Sequence, residues 1–320
     1  GLGDVYTRQA VEGAKRGNFD EISVCVVTGT PTSTAECARL SYEQAQAIKH
    51  DYPRSYIGLG NYWLELARGD CARFDAAAAA YTEAQQVTAA VDAVDSASIQ
   101  ASQVPIKVHY QLGLAHGKAL DPGQPCWLNL DDERRRQHDE TAQNELTAAV
   151  QIFRQASADD QSSSLMQDLA ARASYMLGLV HRWQGRDQEA LTAFEETSEI
   201  AGPYRPPEDG WKSIRWVALN QIGAVYLSQF VAGDLTKFEA ARDTLLQVTN
   251  AYETDFGLAF DDEPAAAAAS SFNLGRLFAA RASIAEGAVD LVALLDAEGH
   301  YRECVRIMGD ADSGIAMNRT

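Results

Sequence analysis

The chain lacks any run approaching the roughly 20 apolar residues that a membrane-spanning helix requires. It is also poor in the side chains that hold phosphate. Among its 320 residues, 27 Lys and Arg stand against 45 Asp and Glu, a formal net charge of −18. Nucleic acids and anionic membrane surfaces are gripped by clustered Lys and Arg, so this balance argues against both as partners. Cysteine is sparse: Cys25, Cys37, Cys71, Cys126 and Cys304, with no C-x-x-C or C-x-x-C-H spacing. Zinc ribbons, thioredoxin-like redox sites and attached c-type haem are therefore disfavoured. Two states fit so scattered a set: buried free thiols, or a local disulfide of Cys25 with Cys37 across the turn TGTPTST. Also missing are H-E-x-x-H, E-x-x-H, P-loop and G-x-S-x-G motifs. Gly58-Leu59-Gly60 has neither the third glycine nor the preceding strand of a dinucleotide fingerprint. The paired acids Asp131-Asp132, Asp159-Asp160 and Asp261-Asp262 fall at helix borders or in loops, where capping and the helix dipole account for them. The reading is of a protein without catalytic residues, cofactor or metal.

What is present points to helix. Hydrophobic residues make up 46% of the chain, ample for a core, while prolines number only 9. Alanine is abundant, and it favours helices because it loses no side-chain entropy there. A chain of this length forms two compact domains or one elongated array.

Internal repetition favours the array. A large aliphatic residue followed by glycine recurs at Leu59-Gly60, Leu112-Gly113, Leu177-Gly178, Ile222-Gly223 and Leu274-Gly275. Between these lie triplets of small, large and small or apolar residues. They read Ala38/Tyr42/Ala45, Ala77/Tyr81/Ala84, Ala149/Phe153/Ala156, Ala190/Phe194/Thr197 and Ala241/Leu245/Val248, with a weaker Cys304/Met308/Ala311. Antiparallel helices approach closely only where glycine or alanine sits at the crossing, and large residues fill the groove beside it. A glycine inside a helix costs about 1 kcal/mol against alanine, so its recurrence implies a packing reason.

This alternation resembles the tetratricopeptide repeat (TPR), whose pattern is W-x2-L-G-x2-Y, then A-x3-F, then P. The clearest copy runs from Ala171 to Pro203 through Leu177, Gly178, Gly185, Ala190 and Phe194, with Ser174 and His181 replacing the aromatic positions. The other copies are stretched by insertions. The resemblance implies an all-α fold: an α-solenoid of five to six degenerate TPR-like helix-turn-helix repeats with long insertions, over residues 35–311. An N-terminal segment, 1–34, precedes it, with a short helix at 4–16 and a strand-like or weakly helical run at 19–27. A polar tail, 312–320, follows. The helices are expected at 35–52, 54–67, 74–90, 105–119, 138–157, 165–184, 187–201, 212–230, 237–254, 264–285 and 287–308. Two loops stand out. The insertion 119–137 either projects to carry contacts or folds Trp127 back, and 203–211 (PYRPPEDGW) is proline-rich and semi-rigid. His116 and His181 share one repeat position, where packing suits them better than metal ligation.

In the family it resembles, the first helix of each pair lines a concave groove. That register places Arg54 and Asn61 on the inner face, followed by Lys107, Tyr110 and Lys118. Next come Arg172, Tyr175, Arg182 and Trp183, and finally Asn220, Phe272 and Arg276. The inner positions hold six cations (Arg54, Lys107, Lys118, Arg172, Arg182, Arg276) and one anion, Glu65, in an otherwise acidic chain. Such a surface suits an acidic or extended peptide segment. The expected function is a protein–protein interaction scaffold. The alternative is a self-assembling structural subunit, a homo-oligomer that builds a head-to-tail polymer or extracellular filament from exposed repeat ends. A start at Gly1 fits either a removed tag or a cleaved leader. The expectation leans towards a secreted or cell-surface protein, with a cytoplasmic one as the alternative.

Overall fold

The structure, a computed structural model, describes residues 25–26, 31–32, 34–48, 50–67, 70–92, 99–202, 214–255, 263–284 and 290–317. Among these residues the elements, joined by turns, are helices except for a short ribbon, in which β1 (Cys25–Val26) pairs antiparallel with β2 (Pro31–Thr32). Part of the strand-like run 19–27 is thus strand. The helix expected at 4–16 and the loop 203–211 lie outside the described residues.

The chain divides into two compact units, Gly1–Gln184 and Gly185–Thr320. The first holds α1 (Thr34–Ile48), α2 (Pro53–Leu66), α3 (Cys71–Asp92), α4 (Ile99–Ala119), a 3-10 turn at Pro125–Asn129, α5 (Asp132–Gln155), the short α6 (Ala158–Gln161) and α7 (Ser164–Trp183). The second holds α8 (Asp187–Ala201), α9 (Ile214–Val231), α10 (Lys237–Asp255), α11 (Glu263–Ile284) and α12 (Leu291–Met317). Most of these bounds lie within four residues of the expected ones, but α4 and α5 each begin six residues earlier, α5 inside the expected insertion 119–137, and in each unit the helices pack as neighbouring pairs. The last helix differs: it continues to Met317, well beyond residue 308 and into the polar segment 312–320.

Local chemistry sets the helix ends. Pro53 opens α2 after an extended Tyr52, a position where its missing N–H is harmless. The Asp131 carboxylate caps α5 by accepting from the Arg134 amide at 2.8 Å. Asp290 caps α12 by accepting from the Val292 and Ala293 amides, both at 3.1 Å. Gly185 and Gly202 flank α8 with φ of 71° and 65°, a conformation that L side chains avoid.

Packing runs from neighbour to neighbour in two layers. In the first unit α2 meets α4 and α4 meets α7, while α3 and α5 pack behind them. In the second, α9 meets α11, with α10 and α12 behind. The recurrent glycines explain how closely the layers approach. A Cβ on Gly60 would overlap the fully buried Tyr81 ring, and one on Gly58 the Tyr42 ring. At Gly223 it would lie 2.6 Å from Leu245, again fully buried. Those three large residues belong to the expected triplets. Two further pairs correct the register. Gly113 meets Leu146, not Phe153, and Gly275 meets Tyr301, not Met308. The working triplets there are Ala142/Leu146/Ala149 and Ala297/Tyr301/Cys304, each seven residues earlier than expected.

This packing gives a first prediction. Gly223→Ala gains helix propensity of about 1 kcal/mol. It must also displace Leu245 in a filled core, and overpacking costs about 1–3 kcal/mol. The variant is therefore expected to lose about 1 kcal/mol net, seen as a lower denaturant midpoint at unchanged slope.

Candidate functional site

The inner layer of the first unit, α2–α4–α7, carries nine of the residues picked from the sequence, and the structure brings several of them together. Arg54 is exposed at the start of α2, close enough to the half-buried Lys107 of α4 for their like charges to interact. Burial, reinforced by Arg54, holds the Lys107 ammonium below its usual pKa. Among the described residues no carboxylate forms an ion pair with Lys107. One turn further along α4, Tyr110 is buried, and its hydroxyl is pushed up to about 12 by burial. Arg172 and Asp168 of α7 both act on it electrostatically.

Asp168 is the residue that the groove register missed. It accepts from Arg172 Nε at 2.6 Å, so the α7 part of the face is a salt bridge and not a bare cation. A carboxylate four residues before an arginine on one helix is the signal that would have revealed it. Asn61 is exposed, and its Oδ1 accepts from the Tyr81 hydroxyl at 2.7 Å, which ties α2 to α3. Lys118 is exposed in the last turn of α4, and Tyr175, Arg182 and Trp183 of α7 are half-buried.

The remaining three lie in the second unit. Asn220 is buried, and its Oδ1 accepts from Ser270 at 3.0 Å and from Asn273 at 3.1 Å, a polar seam between α9 and α11. Phe272 is 48% exposed, its ring 5.6 Å from that of Tyr301. Arg276 is exposed on α11.

A second cluster lies between α3, α4 and α5. His116 and His138 face each other with their Nδ1 atoms 2.9 Å apart, and His138 Nε2 is 3.9 Å from Asp75. Asp75 in turn accepts from Arg134 at 2.7 Å. Burial pushes His116 down to about 4, and it also lowers His138. Both rings are thus neutral at pH 7, and one imidazole N–H is donated to the other ring. Beside them, His109 Nδ1 lies 2.7 Å from Glu145, which also accepts from Gln85 at 3.1 Å. Among the described residues no three His, Cys, Asp or Glu side chains stand together as metal ligands.

The insertion 119–137 is anchored to the first unit. Cys126 is disulfide-bonded to Cys71, a pairing across 55 residues that the sequence did not single out. Cys126 and Leu130 are buried against Ala67, Phe74 and Ala119. The Arg135 guanidinium lies 4.3 Å over the Trp127 ring, so Trp127 is folded back. Among the described residues Cys304 is a free thiol, and no helix is long and apolar enough to cross a membrane.

No family model and no curated protein matches this chain. Among solved structures, it is similar to a thermophilic TPR protein from Thermus thermophilus. The identity is 13% and the TM-score 0.41, over 84% of this chain and 98% of that one.

Proposed function

We propose that this chain is a non-catalytic protein-interaction scaffold whose α2–α4–α7 layer receives an acidic, extended segment of another protein. The observation that carries this reading is Lys107. It is a half-buried cation beside the like charge of Arg54, with no ion-paired carboxylate among the described residues. Desolvating Lys107 beside a like charge is unfavourable, and a ligand carboxylate placed against its ammonium reverses the sign. Tyr110, three residues further along α4 and within electrostatic reach of Arg172, adds an aromatic ring to the same layer. The Cys71–Cys126 disulfide suits an oxidising, secreted or cell-surface setting.

The test is fluorescence anisotropy with a labelled twelve-residue peptide of alternating Glu and Tyr at low salt. Lys107→Glu is expected to weaken binding at least tenfold with helicity unchanged, and moderate salt is expected to weaken the wild type. Equal affinity for wild type and variant would remove the inner layer as the site. Binding should also restore the depressed Lys107 pKa, so proton uptake on binding is expected as the pH rises towards the lysine range. Self-association is the second reading, favoured by the uncovered face of α12.

A further inference from the structure

Helix α12 packs one side on α11 and leaves a long apolar stripe open. Leu291 is 70% exposed, Leu295 67% and Val305 72%, a contiguous apolar patch of the kind that marks an interaction surface. The stripe steps from 291 to 295, 298, 302 and 305, the alternating four-and-three spacing of a helix–helix seam. Its middle holds the only charged pair on the stripe among the described residues, Glu298 and Arg302, joined at 2.6 Å and both well exposed.

The order of these residues is symmetric about the level of His300. Leu295 and Val305 lie five positions before and after it, and Glu298 and Arg302 two before and after. A second α12 laid antiparallel with the same midpoint therefore sets Leu295 against Val305 and Glu298 against Arg302, each contact occurring twice. A parallel arrangement would instead set Glu298 on Glu298 and Arg302 on Arg302, a repulsion at both positions. Near the crossing, Gly299 has open space where its Cβ would point, so a neighbouring backbone can approach closely. A shallow groove of about 520 Å³, floored by Ala279 and Ala297, runs beside the stripe and admits side chains of the second helix.

We infer that the α12 stripe is a homodimer interface, closed by an antiparallel, two-fold pairing of α12 with α12 of a second copy, with Glu298 and Arg302 as its central cross-pairs. The inference does not depend on the groove reading, because it concerns a different helix and a different face. A two-fold contact of this kind satisfies itself and stops at two copies, unlike a head-to-tail stack.

Light scattering coupled to gel filtration at micromolar concentration tests it. The wild type is expected at twice 34.7 kDa. Glu298→Arg alone and Arg302→Glu alone are each expected to weaken dimerisation at least tenfold. An equimolar mixture of the two single variants should restore the dimer, because an all-positive seam then meets an all-negative one. Leu295→Gln, which alters no charge, should weaken it as well, and far-UV circular dichroism should find all three variants folded. The inference is overturned by a wild-type mass of 34.7 kDa throughout, or by a mass that climbs without limit. A dimer indifferent to the single reversals, or a mixture that fails to recover, overturns it equally.

Discussion

Replacing Cys71 and Cys126 together with alanine is expected to lower the stability of the first unit by about 4 kcal/mol, on the chain-entropy argument for a loop of this length. The crosslink spans 55 residues and encloses most of α3, all of α4 and the start of the 3-10 turn. Without it the unfolded chain regains the freedom of that loop. The folded unit also loses its firmest hold on the insertion, since Cys126 is the most deeply buried residue of Pro125–Asn129. The stacking of Arg135 on Trp127 remains but is exposed to solvent competition. Denaturant unfolding with and without reductant measures the effect on the wild type, and the double variant should lose the part of the reductant response that this bond supplies. Hydrogen exchange should quicken over 119–131, while α9–α12 keep their protection. A reductant-independent midpoint in the wild type would show that the bond contributes nothing.

Acidification is expected to destabilise the same unit by about 3 kcal/mol through His116 alone. Its folded pKa lies at about 4 against 6.5 for the free side chain. Between these values the unfolded chain binds a proton that the folded chain refuses. Stability is therefore intact above pH 6.5 and is lost as the pH falls through the interval towards 4. The charged groups around the ring are His138, Asp75 and Glu145. The two carboxylates oppose the shift, while burial and His138 produce it. His138, lowered mainly by burial, acts in the same direction. His116→Asn keeps a polar partner for His138 and removes the titration. Stability of the variant, measured at pH 7 and pH 4.5, should change less than that of the wild type. Parallel curves for the two proteins would place the acid sensitivity elsewhere.

The helices were legible because glycine in a helix is informative only when it recurs, and here five recurrences marked the first helix of each pair. The contacts Gly60–Tyr81 and Gly223–Leu245 were legible for the same reason. The register of α5 and α12 was not. A shift of seven residues returns to the same helix face, so Ala142/Leu146/Ala149 and Ala149/Phe153/Ala156 present similar profiles. What decides between them is how far along α5 the Gly113 level falls, and that depends on the path of the anchored insertion. The disulfide was hidden for a related reason: its cysteines meet only after α3, α4 and the insertion have packed. At the inner face the cations were visible as a class. Their partners were not, because Asp168 occupies a position that the groove register does not count. The α12 stripe was hidden by the expected triplet Cys304/Met308/Ala311, which assigned Met308 to the core, whereas it is 49% exposed.

The bond between Cys71 and Cys126 also decides how the chain carries tension. A pull applied to its two ends travels along the backbone to Cys71, crosses the two sulfurs and leaves at Cys126. Almost all of α3 and the whole of α4 lie on the slack side of that bridge, so no force reaches them directly. About 180 Å of contour length is held in reserve in this way, at 3.3–3.6 Å per extended residue. Only a reductant releases it. If copies of this chain are tethered to one another or to a surface, the Lys107 face stands on a helix that load does not unwind. Arg54 and Arg172 stand on α2 and α7, outside the loop, so stretching removes those two first and leaves Lys107 as the part of the layer that load does not reach.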